Sequence, residues 1–229
     1  MKRTKTIPSA ASLATTLMTA CSMATAGDDQ TSGPARVVFV HGIFQSGRMF
    51  APVVRMLEAR GCECLVPRLT PADARNGLEP LAGQLKSAID RRWDDSGKIH
   101  IVAHSMGGLI SRQYLQHLGG HARCQSLTTL ATPHHGTLAA WCYPGKGATQ
   151  MRRGSAFLTE LKNTEHCLRG IALHSYYTPM DLIILPYTSS EWQMAENRIV
   201  RAPAHPLVMF APRVVRHIME TARSPELMR

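Results

Sequence analysis

The sequence predicts an α/β fold: a mostly parallel sheet of about six strands with helices on both faces. Three observations carry this expectation. Val37-Val38-Phe39-Val40 is a continuous apolar, β-rich run, suited to a strand buried on both sides. Residues 78–93 show helical periodicity, with Leu81, Leu85 and Ile89 on one face. Strand-like and helix-like segments also alternate along the chain, the order that builds parallel βαβ units.

The elements follow in sequence. The first strand ends at His41-Gly42, and helical periodicity occupies residues 50–59 before Gly61, a natural stop. Cys64-Leu65-Val66 is a second strand closed by Pro67, and the amphipathic helix over 78–93 comes next. His100-Ile101-Val102-Ala103 leads as a strand into Ser105, with a helix over 109–117 and another strand over 126–131. Residues 132–170 break the rhythm with Pro133, Gly136, Pro144, Gly145 and Gly147, then a short helix over 155–162. So long an insertion reads as a small lid or binding loop. Strands resume at 171–176 and 198–200, and residues 212–222 form a closing helix with Val214, Val215, Ile218 and Met219 inward.

The 229 residues, 44% hydrophobic and 18% charged, suit one globular domain, placed at 36–223 with a linker at 27–35 and a tail at 224–229. The first 26 residues read as an export signal. Lys2, Arg3 and Lys5 precede an apolar stretch too short to span a bilayer, and Ala24-Thr25-Ala26 is a cleavage-site pattern. Met18-Thr19-Ala20-Cys21 is the alternative, a lipoprotein signal that would anchor the chain through Cys21. Either way the expected location is outside the cytoplasm: periplasmic, secreted or membrane-anchored.

The formal charge of +10 falls to +7 without the leader, from 23 basic and 16 acidic residues. That balance favours anionic surfaces, membranes included. The cations are scattered without an aromatic stripe, which argues against nucleic acid as a partner. A monomer is expected. Beyond the leader stand Cys62, Cys64, Cys124, Cys142 and Cys167. In an oxidising compartment Cys142 and Cys167, which flank one insertion, are the favoured pair. Cys62 and Cys64 face one side of a strand and are not expected to bond to each other.

Ala103-His104-Ser105-Met106-Gly107-Gly108 carries the chemistry. A serine between a strand and a helix, with small residues two before and two after, marks a nucleophile elbow. Serine needs a histidine to take its proton and a carboxylate to support the imidazolium, in the chain order Ser, acid, His. Asp181, just past the strand at 171–176, fits the acid, with Glu191 as fallback. His205, just past the strand at 198–200, fits the base. His217 lies inside the last helix, His174 within a strand, and His104 is read as pointing away from Ser105. The N–H groups of Met106 and Ile43 are the expected oxyanion donors. Phe44, Met180 and Phe157 are expected substrate contacts. Adjacent His134 and His135, with no carboxylate cluster, do not make a metal site.

Val40-His41-Gly42-Ile43, the Ser105 segment, Asp181 and His205 together resemble the α/β-hydrolase superfamily, in particular its small bacterial lipases and esterases. Thr132-Pro133-His134-His135-Gly136-Thr137 is similar to a segment of many such lipases. The resemblance covers residues 37–219. It implies an α/β-hydrolase fold, a Ser105-Asp181-His205 triad, Ile43 and Met106 as oxyanion donors, and no cofactor. The expected substrate is a small-molecule or lipid ester, cleaved by a lipase or esterase through an acyl-enzyme. Acyl transfer or amide hydrolysis with the same residues is the alternative, and a non-catalytic binding protein a more distant one.

Overall fold

In the computed structural model, residues 33–93 and 97–222 are described. The proposed leader, Cys21 and the tail lie outside them. Six strands form one wholly parallel sheet: β1 (Arg36–Val40), β2 (Glu63–Leu65), β3 (Ile99–His104), β4 (Cys124–Leu130), β5 (Ala172–Tyr177) and β6 (Glu196–Ile199), in the order β2-β1-β3-β4-β5-β6. The helices are α1 (Ala51–Glu58), α2 (Leu78–Arg92), α3 (Met106–His117), α4 (Lys146–Gln150), α5 (Ala156–Asn163) and α6 (Pro212–Thr221).

The chain steps from β1 outward to β2, then crosses back to β3 on the other side of β1. That reversal opens a crevice beyond the carboxyl ends of β1 and β3, the usual place for a ligand in an open α/β sheet. Alternation along the strands divides the core in two. Val38, Val40, Ile101 and Ala103 face α2 and α3, packing on Leu81, Leu85, Ile89, Leu109 and Ile110. Val37, Phe39 and Val102 face the other way, against Val53 and Leu57 of α1 and Val214 and Ile218 of α6. Val215, expected inward on α6, is only half-buried at the edge of this second cluster.

The insertion over 132–170 is docked along much of its length. Leu158 and Leu161 of α5 enter the core, and the Gln150 side chain accepts from the Leu78 N–H at 2.8 Å. The short α4 gave no sequence signal; Gly147 lets it lie against the backbone of Ala74, where a Cβ would come within 2.5 Å.

The expected Cys142–Cys167 bond is not present, and all five described cysteines are free. Hydrogen bonding and apolar packing hold the insertion where a covalent link was expected. Cys142 stands exposed, and Cys167 lies with its Sγ 3.6 Å from His166 Nε2. Cys62 and Cys64 do share one side of the sheet, in the α1–α6 cluster.

Gly107 is the tightest point between β1 and α3. A Cβ there would sit 2.3 Å from the carbonyl oxygen of Val40 and 2.8 Å from that of His41. Backbone cannot yield as a side-chain tip can, so Gly107→Ala should lower stability by about 1–3 kcal/mol or more. Urea unfolding should show a lower midpoint at unchanged slope.

Candidate active site

Ser105 occupies the turn between β3 and α3 with φ 55° and ψ −127°. A side chain with positive φ is strained, on the order of 1–3 kcal/mol, and persists only where its surroundings hold it. Here the Ser105 N–H donates to Leu130 O at 2.8 Å, and its carbonyl accepts from Gly108 N–H and Thr132 Oγ. The chain reverses at once into α3, so Met106 is its first residue and its N–H is among those without an intrahelical acceptor. Ala103 sits in regular β3, paired with Val40 and Thr129, where its methyl is accommodated.

The loop after β1 closes over this turn. Gly42 lies so near that a Cβ would be 2.9 Å from Ser105 Cβ. Two side chains shape the loop. His41 holds it to the 69 region, with Nδ1 2.9 Å from Gly42 O and Nε2 accepting from the Leu69 N–H. Gln45 Oε1 accepts from the Gly42 N–H at 2.9 Å. Ile43 follows, partly buried against the core, and Phe44 turns outward with φ 58° and its ring against Tyr143.

Asp181 and His205 come together from the loops after β5 and β6. His205 Nδ1 is 2.8 Å from Asp181 Oδ2, and both side chains are buried. The other oxygen of Asp181 accepts from the N–H groups of Ile183 and Ile184. Burial alone would raise the Asp181 pKa. The His205 hydrogen bond and charge, with those two N–H groups, outweigh it and hold the carboxyl below its ordinary range. Thr178 ties the two loops, its hydroxyl donating to Ala202 O at 2.7 Å. Among the described residues no hydrogen bond joins Ser105 Oγ to His205; in ligand-free sites such bonds are often long. Glu191 is engaged elsewhere, accepting from the Tyr177 hydroxyl.

The side-chain contacts of His104 are with His205 and Gln45. Its ring packs against that of His205 with centroids 4.8 Å apart. Its Nε2 lies 3.3 Å from His205 O and its Nδ1 3.2 Å from Gln45 Oε1. Burial, then the neighbouring His205, pushes its pKa down to about 3, so it is neutral and donates to only one of these oxygens. His41, Gln45, His104 and Thr178 therefore bear on the candidate site through contacts that sequence reasoning did not assign to them. His41 stands in the Val40–Ile43 motif, but its bond to Leu69, and those of Gln45 to His104, His104 to His205 and Thr178 to Ala202, span 24 to 101 residues and leave no sequence signal.

Of the expected substrate contacts, Phe44 and Met180 stand more than half exposed on these loops. Phe157 lies apart on α5, half-buried against the core. His134 spends both ring nitrogens on Thr129 and Arg112. No group of three or more metal-ligating side chains occurs among the described residues, and no helix there is long and apolar enough to cross a membrane.

Buried histidines give the fold an acid sensitivity. Burial is the first cause lowering the pKa of His41, His134 and His174, of His100 and His217 to about 4, and of His104. The unfolded chain takes up these protons near pH 6.5, the folded one only below that. Stability should therefore fall as pH drops from about 6.5 to about 4. Asp181 is shifted in the same direction, though by its partners and against burial: its contribution is present above about pH 3.9 and is lost as pH falls through its lowered folded value. Urea midpoints at about pH 7, 5.5 and 4.5 should decline in that order; a flat series would contradict this.

A model of the alpha/beta hydrolase family matches residues 37–224. No curated protein sequence matches the chain significantly. Among solved structures, Aspergillus fumigatus lipase B superposes with a TM-score of 0.67 at 13% identity, over 84% of this chain and 53% of its own. The chain thus spans about half the length of that lipase. Bacillus licheniformis lipase BlEst2 in mature form gives 0.62 at 15% identity, over 85% and 94%. The pyrethroid hydrolase PytH gives 0.58 at 16%, over 84% and 99%. At these identities the likeness is one of fold.

Proposed function

The chain belongs to the alpha/beta hydrolase family, and from that membership we propose that it is a serine carboxylic-ester hydrolase, a lipase or esterase using Ser105, His205 and Asp181. The observation that carries this reading is the 2.8 Å contact between His205 and Asp181, on loops at the same sheet edge as the strained Ser105 turn.

With its Nδ1–H donated in a hydrogen bond to the Asp181 carboxylate, which stays ionised, His205 keeps Nε2 as a free base. It takes the Ser105 proton as Oγ bonds to the ester carbonyl carbon. The electron pair moves to the carbonyl oxygen, where the N–H groups of Ile43 and Met106 receive it; losing one such donor costs about 2.7–4 kcal/mol in the barrier. Collapse expels the alcohol, which carries off the proton from His205. Water then gives a proton to His205 as its oxygen attacks the acyl carbon, and the acid departs with Ser105 restored.

The rim favours an acyl substrate. Phe44 follows Ile43, Met180 and Leu182 flank Asp181, and Leu207 follows His205; Leu182 is 80% exposed. Trp141, on a 3-10 turn of the insertion, is 64% exposed, and the neighbouring Leu138 bonds through its N–H to Leu185 O. An apolar collar of this kind suits an acyl chain or a lipid surface. The basic, apolar leader supports export to where such lipids are met.

Hydrolysis of p-nitrophenyl esters of increasing chain length is the test. Turnover that rises with chain length is expected. Absence of turnover on every ester, or conversion only when an alcohol or amine acceptor is added, would overturn the hydrolase reading.

A further inference from the structure

A cavity of about 460 Å³ lies between α3, α5 and the segment after β5, lined on one side by the loop that follows β4. Its floor is Arg112 of α3, 1% exposed. The Arg112 guanidinium donates through Nε to Gln116, through Nη2 to Leu161 O and to Glu165, and through Nη1 to His134 Nδ1. Five N–H groups are available, so one on Nη1 has no hydrogen-bond acceptor among the described residues. The Trp192 ring lies 4.6 Å from the guanidinium, stacks on His134, and donates its indole N–H to Glu165.

The charges at this cavity do not balance. Arg153 and Lys162 stand exposed at its mouth, and neither has an acidic partner among the described residues. The one carboxylate in the lining, Glu165, is already engaged by Arg112 and Trp192. Burial brings the Arg112 pKa down to about 10, offset by Glu165, so the guanidinium stays charged at neutral pH. Three cations therefore face one committed anion. A buried cation with a spare donor, backed by two mobile-headed cations at the entrance, is an arrangement that favours an oxyanion.

We propose that this cavity is a binding site for a small oxyanion, a phosphate or carboxylate group, held by Arg112, Arg153 and Lys162. It is separate from Ser105 yet connected to it. His134 forms part of its wall, and two residues earlier Thr132 holds the Ser105 carbonyl at 2.9 Å. The site does not depend on the hydrolase reading.

The test is thermal unfolding of the full chain carrying Ser105→Ala, so that turnover plays no part, titrated with inorganic phosphate and with acetate at constant ionic strength. At least one anion should raise Tm saturably, by about 2–4 °C well above its dissociation constant. Arg153→Gln with Lys162→Gln, both exposed positions, should leave the anion-free Tm nearly unchanged and abolish the rise. No saturable rise with either anion would overturn the proposal. So would a rise that survives the double substitution, since phosphate also stabilises proteins by general exclusion. Cosedimentation with phosphatidic acid vesicles separates the sources. Capture that phosphate competes away and the double substitution abolishes means a lipid headgroup; a phosphate-dependent Tm rise without capture means a free anion.

Discussion

Ser105→Ala and His205→Ala should each lower kcat on a p-nitrophenyl ester by about 10⁶-fold, the scale seen when either member of such a unit is removed in other serine hydrolases. The double substitution should be hardly worse than either alone. Without His205 the hydroxyl keeps its proton, and without Ser105 the imidazole has no proton to take, so each loss disables the other group. The residual rate should still exceed that in water, because the proposed oxyanion donors, the N–H groups of Ile43 and Met106, are backbone and survive both changes. Multiplicative losses in the double variant would mean that the two residues act independently.

Asp181→Asn should cost about 10⁴-fold in kcat with little change in KM. The carbonyl oxygen of the new amide can still accept from Ile183 and Ile184, which hold that side of the loop. Its NH₂ would then face His205 Nδ1, which must accept instead of donate. That moves the imidazole proton to Nε2, the nitrogen needed as the base. The loss should appear in kcat because substrate contacts on the rim are untouched. Glu191→Gln is the matching control. Its carboxylate is bound to the Tyr177 hydroxyl, so kcat should stay within a few-fold of the starting chain.

The scaffold was legible because it rests on repeated local signals. Buried strands announce themselves as apolar runs, and the helices at 78–92 and 212–221 by periodicity, so their order along the chain yields the sheet. Ser105 was legible because the strained turn demands small neighbours, and Gly107 against the Val40 carbonyl shows why. Asp181 and His205 were reached from their positions after consecutive strands. What could not be read were polar contacts made across long separations: Gln45 with His104, His104 with the His205 carbonyl, Thr178 with Ala202. Each uses a residue type common in loops. The five-residue helix α4 is too short for a periodic pattern, and the pairing inferred for Cys142 and Cys167 rested on their flanking an insertion that is held without it.

The loop after β1 shows how these unread contacts meet the legible ones. His41 and Gln45 fix a loop whose glycine touches Ser105, and Gln45 also meets His104, which packs on His205. The proposed electrophilic and basic halves of the site thereby share one chain of polar contacts. Fixed dipoles of this kind stabilise developing charge without reorganising during the reaction.

The most direct measurement is reaction with a fluorophosphonate, which transfers a phosphonyl group to an activated serine with loss of fluoride, followed by peptide mapping by mass spectrometry. One phosphonyl group per chain is expected, on Ser105, absent after Ser105→Ala and strongly slowed after His205→Ala. Labelling at another residue, or labelling of Ser105 at an unchanged rate without His205, would contradict a nucleophile activated by that histidine.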